Sequence, residues 1–122
     1  MTDWFKVDGL IPHGFCLSWD PALMAAVVVG NAIISLSYFL LTVILVVAAT
    51  APRPAVPRWV YWSFAGFIFC CGLSHVLDDI TLWYPVYRMQ AAVLCVTALV
   101  SMFAAVLPIS VWATHEAERW RR

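Results

Sequence analysis

Phe64-Ala-Gly-Phe-Ile-Phe-Cys-Cys-Gly-Leu-Ser-His75 is an apolar run that takes in two adjacent cysteines and closes on a histidine. It lies inside a longer apolar block, residues 59–83, that exceeds the ~20 residues a helix needs to span a bilayer. Cys71 and His75 are four residues apart, which puts a thiol and an imidazole on one helix face, one turn from each other. Polar residues at such depth are costly in lipid and are candidates for function by default.

Two further apolar blocks flank this one, residues 22–49 and 86–112. The chain has 122 residues, 64% hydrophobic and 11% charged, with a mean hydropathy of +0.88. That is too apolar for a soluble domain of this size. The formal net charge is zero, so no basic field points to nucleic acid. Many aromatics fall where the apolar runs end, as interface anchors do. The reading is an all-α integral membrane protein with three transmembrane helices, its sequential helices antiparallel because the connections are short.

The basic residues set an expected orientation. Arg53 and Arg58 in the first connector, with Arg119, Arg121 and Arg122 in the tail, oppose Lys6 and Arg88 on the other side. The positive-inside rule then places the N-terminus outside and the C-terminus in the cytoplasm, in a multi-pass protein of a bacterial inner membrane. No signal peptide is expected. The first 20 residues carry Asp3, Lys6, Asp8 and Asp20, with no short apolar run before a small-residue cleavage site.

Three segments result. Residues 1–21 form an extracytoplasmic interfacial segment, with Trp4, Phe5, Phe15 and Trp19 available for headgroup contact. Residues 22–112 form the membrane domain and residues 113–122 a cytoplasmic tail. Asp20-Pro21 predicts a helix start, Asp as cap and Pro at the first position. The prolines at 52, 54 and 57 force a turn, Tyr84-Pro85 separates the second and third helices, and Pro108 predicts a kink in the third. The polar tail is the expected exit toward an output module or a separate subunit.

Cys71, His75, Asp78 and Asp79 follow i, i+4, i+7, i+8 spacing and share a stripe. A thiolate and an imidazole suit Cu(I), which is soft and tolerates low coordination; Zn(II) fits less well, since structural zinc takes four ligands. Asp78 or Asp79 is expected to accept the second imidazole proton of His75 and so set its tautomer. The competing reading is that His75 bridges to a neighbouring helix while the cysteines fill space. His13 and Cys16 form another pair outside the membrane, open to metal entry or binding, an intermolecular disulfide, or an ordinary solvated turn, which is the preferred reading for His13. Asn31, Ser35 and Tyr38 on helix 1, and Cys95, Thr97 and Ser101 on helix 3, read as interhelical hydrogen-bonding positions. His115 in the tail is expected to be solvated.

Taken together, Arg58-Trp59, the 64–75 run, Thr81-Leu-Trp-Tyr-Pro-Val-Tyr87, Thr97-Ala-Leu-Val-Ser101 and Tyr38-Phe39 resemble the ethylene-binding transmembrane domain of plant and cyanobacterial ethylene receptors. Pro12-His-Gly-Phe-Cys-Leu-Ser-Trp19 resembles the N-terminal segment of bacterial-type members. The resemblance covers about residues 11–110. It implies a homodimer, Cu(I) on Cys71 and His75, and ethylene as a ligand of that copper. Asn31, Tyr38, Ile68, Asp78 and Asp79 are the candidates to surround the metal pair or line a ligand pocket. Three positions depart from the family pattern: Asn31 stands where the family has Asp, Thr42 where it has Pro, and Leu94 where some members carry Lys. Asp78 and Asp79 are additional acids, which leaves room for another ligand, another metal or a haem.

Two functions follow as expectations. One is a Cu(I)-dependent membrane sensor for ethylene or another small soft ligand, feeding a cytoplasmic signalling module of two-component type. The other is an accessory subunit of a membrane complex that keeps the sensor fold. A haem protein using His13, His75 or His115 is a weaker alternative, and no nucleophile–base set suggests an enzyme.

Overall fold

The computed structural model describes residues 7–121. Asp3, Trp4, Phe5 and Lys6 of the interfacial segment lie outside the described residues, as does the side chain of His115. Three helices follow in order: α1 (Pro21–Thr50), α2 (Arg58–Trp83) and α3 (Tyr87–Trp120). No strand occurs among the described residues.

Each boundary has a local cause. Asp20 Oδ1 accepts a hydrogen bond from the Leu23 amide at 2.8 Å, and Pro21 occupies the first turn. Such a cap contributes about 1 kcal/mol. The connector at 51–57 stays out of helix because its prolines lack the donor that a helix needs. Tyr84 is extended, φ −121° and ψ 117°, as a residue before proline tends to be. The third helix continues past position 108 to Trp120, so the tail extends it.

Contacts running in opposite directions show the helices to be antiparallel neighbours. Asn31 meets Asp79, while Phe39 meets Phe69. Gln90 meets Asp78, and a Cβ added at Gly66 would lie 3.9 Å from Val100. The second helix is thus flanked by both others. At 1.5 Å per residue, 30 residues of α1 reach about 45 Å, beyond the ~30 Å hydrocarbon core.

The distribution of apolar surface identifies the solvent. Leu36 is 72% exposed, Leu40 61% and Val47 63%, while Leu82 alone among the large side chains of the described residues is fully buried. Water would penalise that surface by roughly 25 cal/mol per Å²; lipid does not. All three helices are long and apolar enough to cross a membrane, and the protein is a multi-pass integral membrane protein.

A short 3-10 turn, His13–Phe15, packs across the end of α2. Gly14 is indispensable there, since a Cβ would fall 2.8 Å from the Leu82 carbonyl oxygen and 2.8 Å from the Trp19 ring. Ser18 and Trp19 both take φ of 53°. This left-handed pair folds Trp19 back, so that its amide donates to the Gly14 carbonyl at 3.1 Å. Tyr87 at the start of α3 ties down the same segment by donating to the Ile11 carbonyl at 2.9 Å.

Candidate functional site

Gly72 sits between Cys71 and the turn that carries His75, and it sets the α1–α2 distance. A Cβ at this position would lie 3.0 Å from the Phe39 ring and 3.2 Å from Tyr38 Cβ. Its absence lets the Tyr38-Phe39 pair press directly onto α2. The Tyr38 and His75 rings then stand 6.0 Å apart, centre to centre, and Phe39 and Phe69 stand 5.6 Å apart.

Close approach also brings polar groups together. His75 Nδ1 lies 3.0 Å from Asn31 Oδ1, and Asn31 Nδ2 donates to Asp79 Oδ1 at 2.9 Å. The chemistry of the third group orders the other two. An ionised carboxylate only accepts, so the amide nitrogen of Asn31 faces Asp79 and its oxygen faces His75. With Asp79 as a carboxylate, that oxygen accepts from a proton on Nδ1. In the neutral imidazole, Nε2 then carries the free lone pair, which is the form a metal takes. Asp78 Oδ2 stands 3.9 Å from Nδ1, and Asp78 Oδ1 accepts from Gln90 Nε2 of α3.

Cys71 is half-buried and is not in a disulfide. Its carbonyl accepts from the Ser74 hydroxyl at 2.7 Å, so the serine is occupied with backbone. Among the described residues no cluster of three or more His, Cys, Asp or Glu side chains is placed to hold a metal ion. Cys71 and His75 stand one helical turn apart on α2. A thiolate and an imidazole together would suit Cu(I) and would not satisfy four-coordinate structural zinc.

Several expectations are corrected by this geometry. Asp78 Oδ2 stands beyond hydrogen-bond distance of His75 Nδ1; the group that pairs with Nδ1 is the Asn31 side-chain oxygen, and Asp79 accepts from the Asn31 amide. Asn31 does join two helices, as a helix 1 hydrogen-bonding residue should. Ser35 does not: its hydroxyl returns to the Asn31 carbonyl at 2.8 Å. Thr97 and Ser101 likewise donate to Val93 and Thr97 carbonyls on their own helix, because the i−4 oxygen is always within reach. Tyr38 contributes its ring, and Ile68 is half-buried in α2. His13 and Cys16 are exposed on the N-terminal turn, apart from the Cys71–His75 stripe.

Gln90 and Tyr87 escaped sequence reasoning as partners of the site. Gln90 offered one signal, a lone amide near the start of an otherwise apolar helix, twelve residues after Asp78. Both line a cavity of about 430 Å³ with His13, Asn31 and Asp78, and with apolar Val27 and Leu82.

The class defined by these features is a three-helix membrane domain with a hydrogen-bonded cluster of Asn31, His75 and Asp79 between helices 1 and 2. The family model described as Ethylene receptor 1-like, N-terminal domain, matches residues 22–113, and the chain belongs to that family. No curated protein matches it, nor does any solved structure.

Proposed function

We propose that this domain is the sensor of a membrane receptor and holds Cu(I) on Cys71 Sγ and His75 Nε2 for recognition of ethylene or another small soft ligand. The observation that carries the reading is the Asp79–Asn31–His75 relay, 2.9 Å and 3.0 Å across its two links. It holds the imidazole by Nδ1 and leaves Nε2 bare on the helix that also carries Cys71. Copper, when bound, supplies d-electron density that an olefin's antibonding orbital accepts.

The remaining work belongs to the chain. Asn31 orients the ring and fixes its proton, Asp79 orients Asn31, and the Tyr38 ring stands tilted beside the imidazole, 6.0 Å away. Gly72 permits the close approach that joins them. The family's helix 1 carboxylate is replaced by Asn31, and the acid is restored one link away, at Asp79. Leu94, at the position where some members have Lys, is 51% exposed on α3, outside the relay between α1 and α2.

In the same reading the N-terminus lies outside and the C-terminus in the cytoplasm, and the chain is a homodimer in a bacterial inner membrane with no catalytic activity of its own. Ligand binding signals only by favouring one helix packing over another. The test is the copper content of the detergent-purified chain after Cu(I) reconstitution under reductant. Wild type should retain copper, while Cys71→Ser and His75→Ala should lose it with helical content unchanged. Equal copper in both variants would overturn the site.

A further inference from the structure

The cavity of about 430 Å³ at the N-terminal end of the helices is lined by neither Cys71 nor His75. Its polar wall is one-sided in hydrogen-bonding character. The Thr81 hydroxyl donates to the Asp78 carbonyl at 2.7 Å, and the Tyr87 hydroxyl donates to the Ile11 carbonyl at 2.9 Å. A hydroxyl has one proton, so both oxygens are left as acceptors. Gln90 commits an N–H to Asp78 Oδ1, and its own carbonyl oxygen is a further acceptor. Asn31 is engaged at both ends, by His75 and by Asp79.

Asp78 gives this wall its charge. Its side chain keeps 43% of its surface open, and His75 Nδ1 is 3.9 Å from Oδ2, too far for a hydrogen bond. The carboxylate therefore has lone pairs beyond the one that Gln90 uses. The His13 imidazole, in its neutral form, adds another acceptor. Such a wall fits a ligand with several N–H donors and a positive charge, while Asp78 repels an anion. A hard metal ion is poorly served. Calcium takes about six to eight oxygens, and part of the lining here is Val27 and Leu82. An ammonium head with a short alkyl tail matches both parts.

We propose that this cavity binds a small primary alkylammonium ion, its N–H groups on Asp78 and the oxygens of Thr81, Tyr87 and Gln90, its tail against Val27 and Leu82. The cavity lies where α2 ends and α3 begins, so the cation need not cross the hydrocarbon to reach it. The site involves no copper and stands independently of the metal reading above.

The test is isothermal titration of the copper-free, detergent-purified full chain with ethylammonium chloride. Tetramethylammonium chloride, which carries the charge without N–H donors, holds the ionic strength constant. Wild type should bind ethylammonium saturably. Asp78→Asn keeps the side-chain shape and an acceptor for Gln90, and it should bind roughly 10-fold to 100-fold more weakly. Val27→Phe leaves every oxygen in place but fills the space, and it should weaken binding as well. Melting temperatures check that both variants fold. Should Asp78→Asn fail to fold, Val27→Phe decides: undiminished binding there overturns the site. So does the absence of saturable binding by wild type, or wild-type affinity in a folded Asp78→Asn. Sodium chloride that displaces ethylammonium at equal concentration overturns the alkylammonium assignment, because a bare cation would then suffice.

Discussion

Near its N-terminal end the α1–α2 seam is joined by hydrogen bonds, with Asn31 standing between His75 and Asp79. Two turns along, the same seam is closed by Phe39 against Phe69 and by the close approach at Gly72. The two halves do different things. An acid within a membrane helix costs about 2.5–3.5 kcal/mol near the bilayer centre, less toward an interface. An interhelical hydrogen bond between membrane helices returns about 0.6 kcal/mol on average. Stability alone therefore gives no reason for the polar half. The apolar half holds the helices together; the polar half holds one ring in one orientation.

Substitutions should separate the two. The largest effect is expected at Gly72, where both halves meet. Gly72→Leu forces side-chain atoms into Tyr38 and Phe39, at a cost of about 1–3 kcal/mol or more for overpacking. It should lower the melting temperature in detergent and abolish copper retention together. A Gly72→Leu protein with wild-type stability would mean that the helices are not as close as 3.0 Å implies.

Asp79→Ala should act on the polar half alone. Loss of a group that orients a ligand costs about 10–100-fold in metal affinity, so competition with a Cu(I) chelator should show weaker binding with little change in melting temperature. The exchange Asn31→Asp with Asp79→Asn sharpens the point. The carboxylate, moved to α1, then accepts directly from Nδ1, and the amide, moved to α2, donates to that carboxylate. This double variant should bind copper better than Asp79→Ala.

Phe69→Ala should act on the apolar half alone. Phe69 is 46% exposed, so its loss should cost about 1 kcal/mol, below the range for a fully buried aromatic, with copper affinity unchanged. The smallest effects belong to Thr97→Val and Ser101→Ala. Their hydroxyls return to their own helix, and both changes should stay within about 0.5 kcal/mol with copper retention intact.

What could be read from the sequence was local. Asp20-Pro21, the prolines of the first connector and Tyr84-Pro85 mark helix ends through backbone chemistry that acts within a few residues. The Cys71–His75 stripe needs only helical periodicity. The relay could not be read in the same way, because Asn31 and His75 are 44 positions apart and meet only after Gly72 sets the helix spacing. Their spacing puts Asp78 and Asp79 on the stripe of His75, but the route through Asn31 depends on which face of α1 packs inward. Ser35, Thr97 and Ser101 show the opposite failure. A hydroxyl in a helix is a candidate for a neighbouring helix, and the nearer i−4 carbonyl took all three.

The most direct measurement is nitrogen NMR of His75 in the metal-free protein, repeated after addition of Cu(I). A proton on Nδ1, a bare Nε2, and a copper-induced shift at Nε2 are the predicted result. A proton on Nε2, or a copper-induced shift at Nδ1, would contradict the relay and the site built on it.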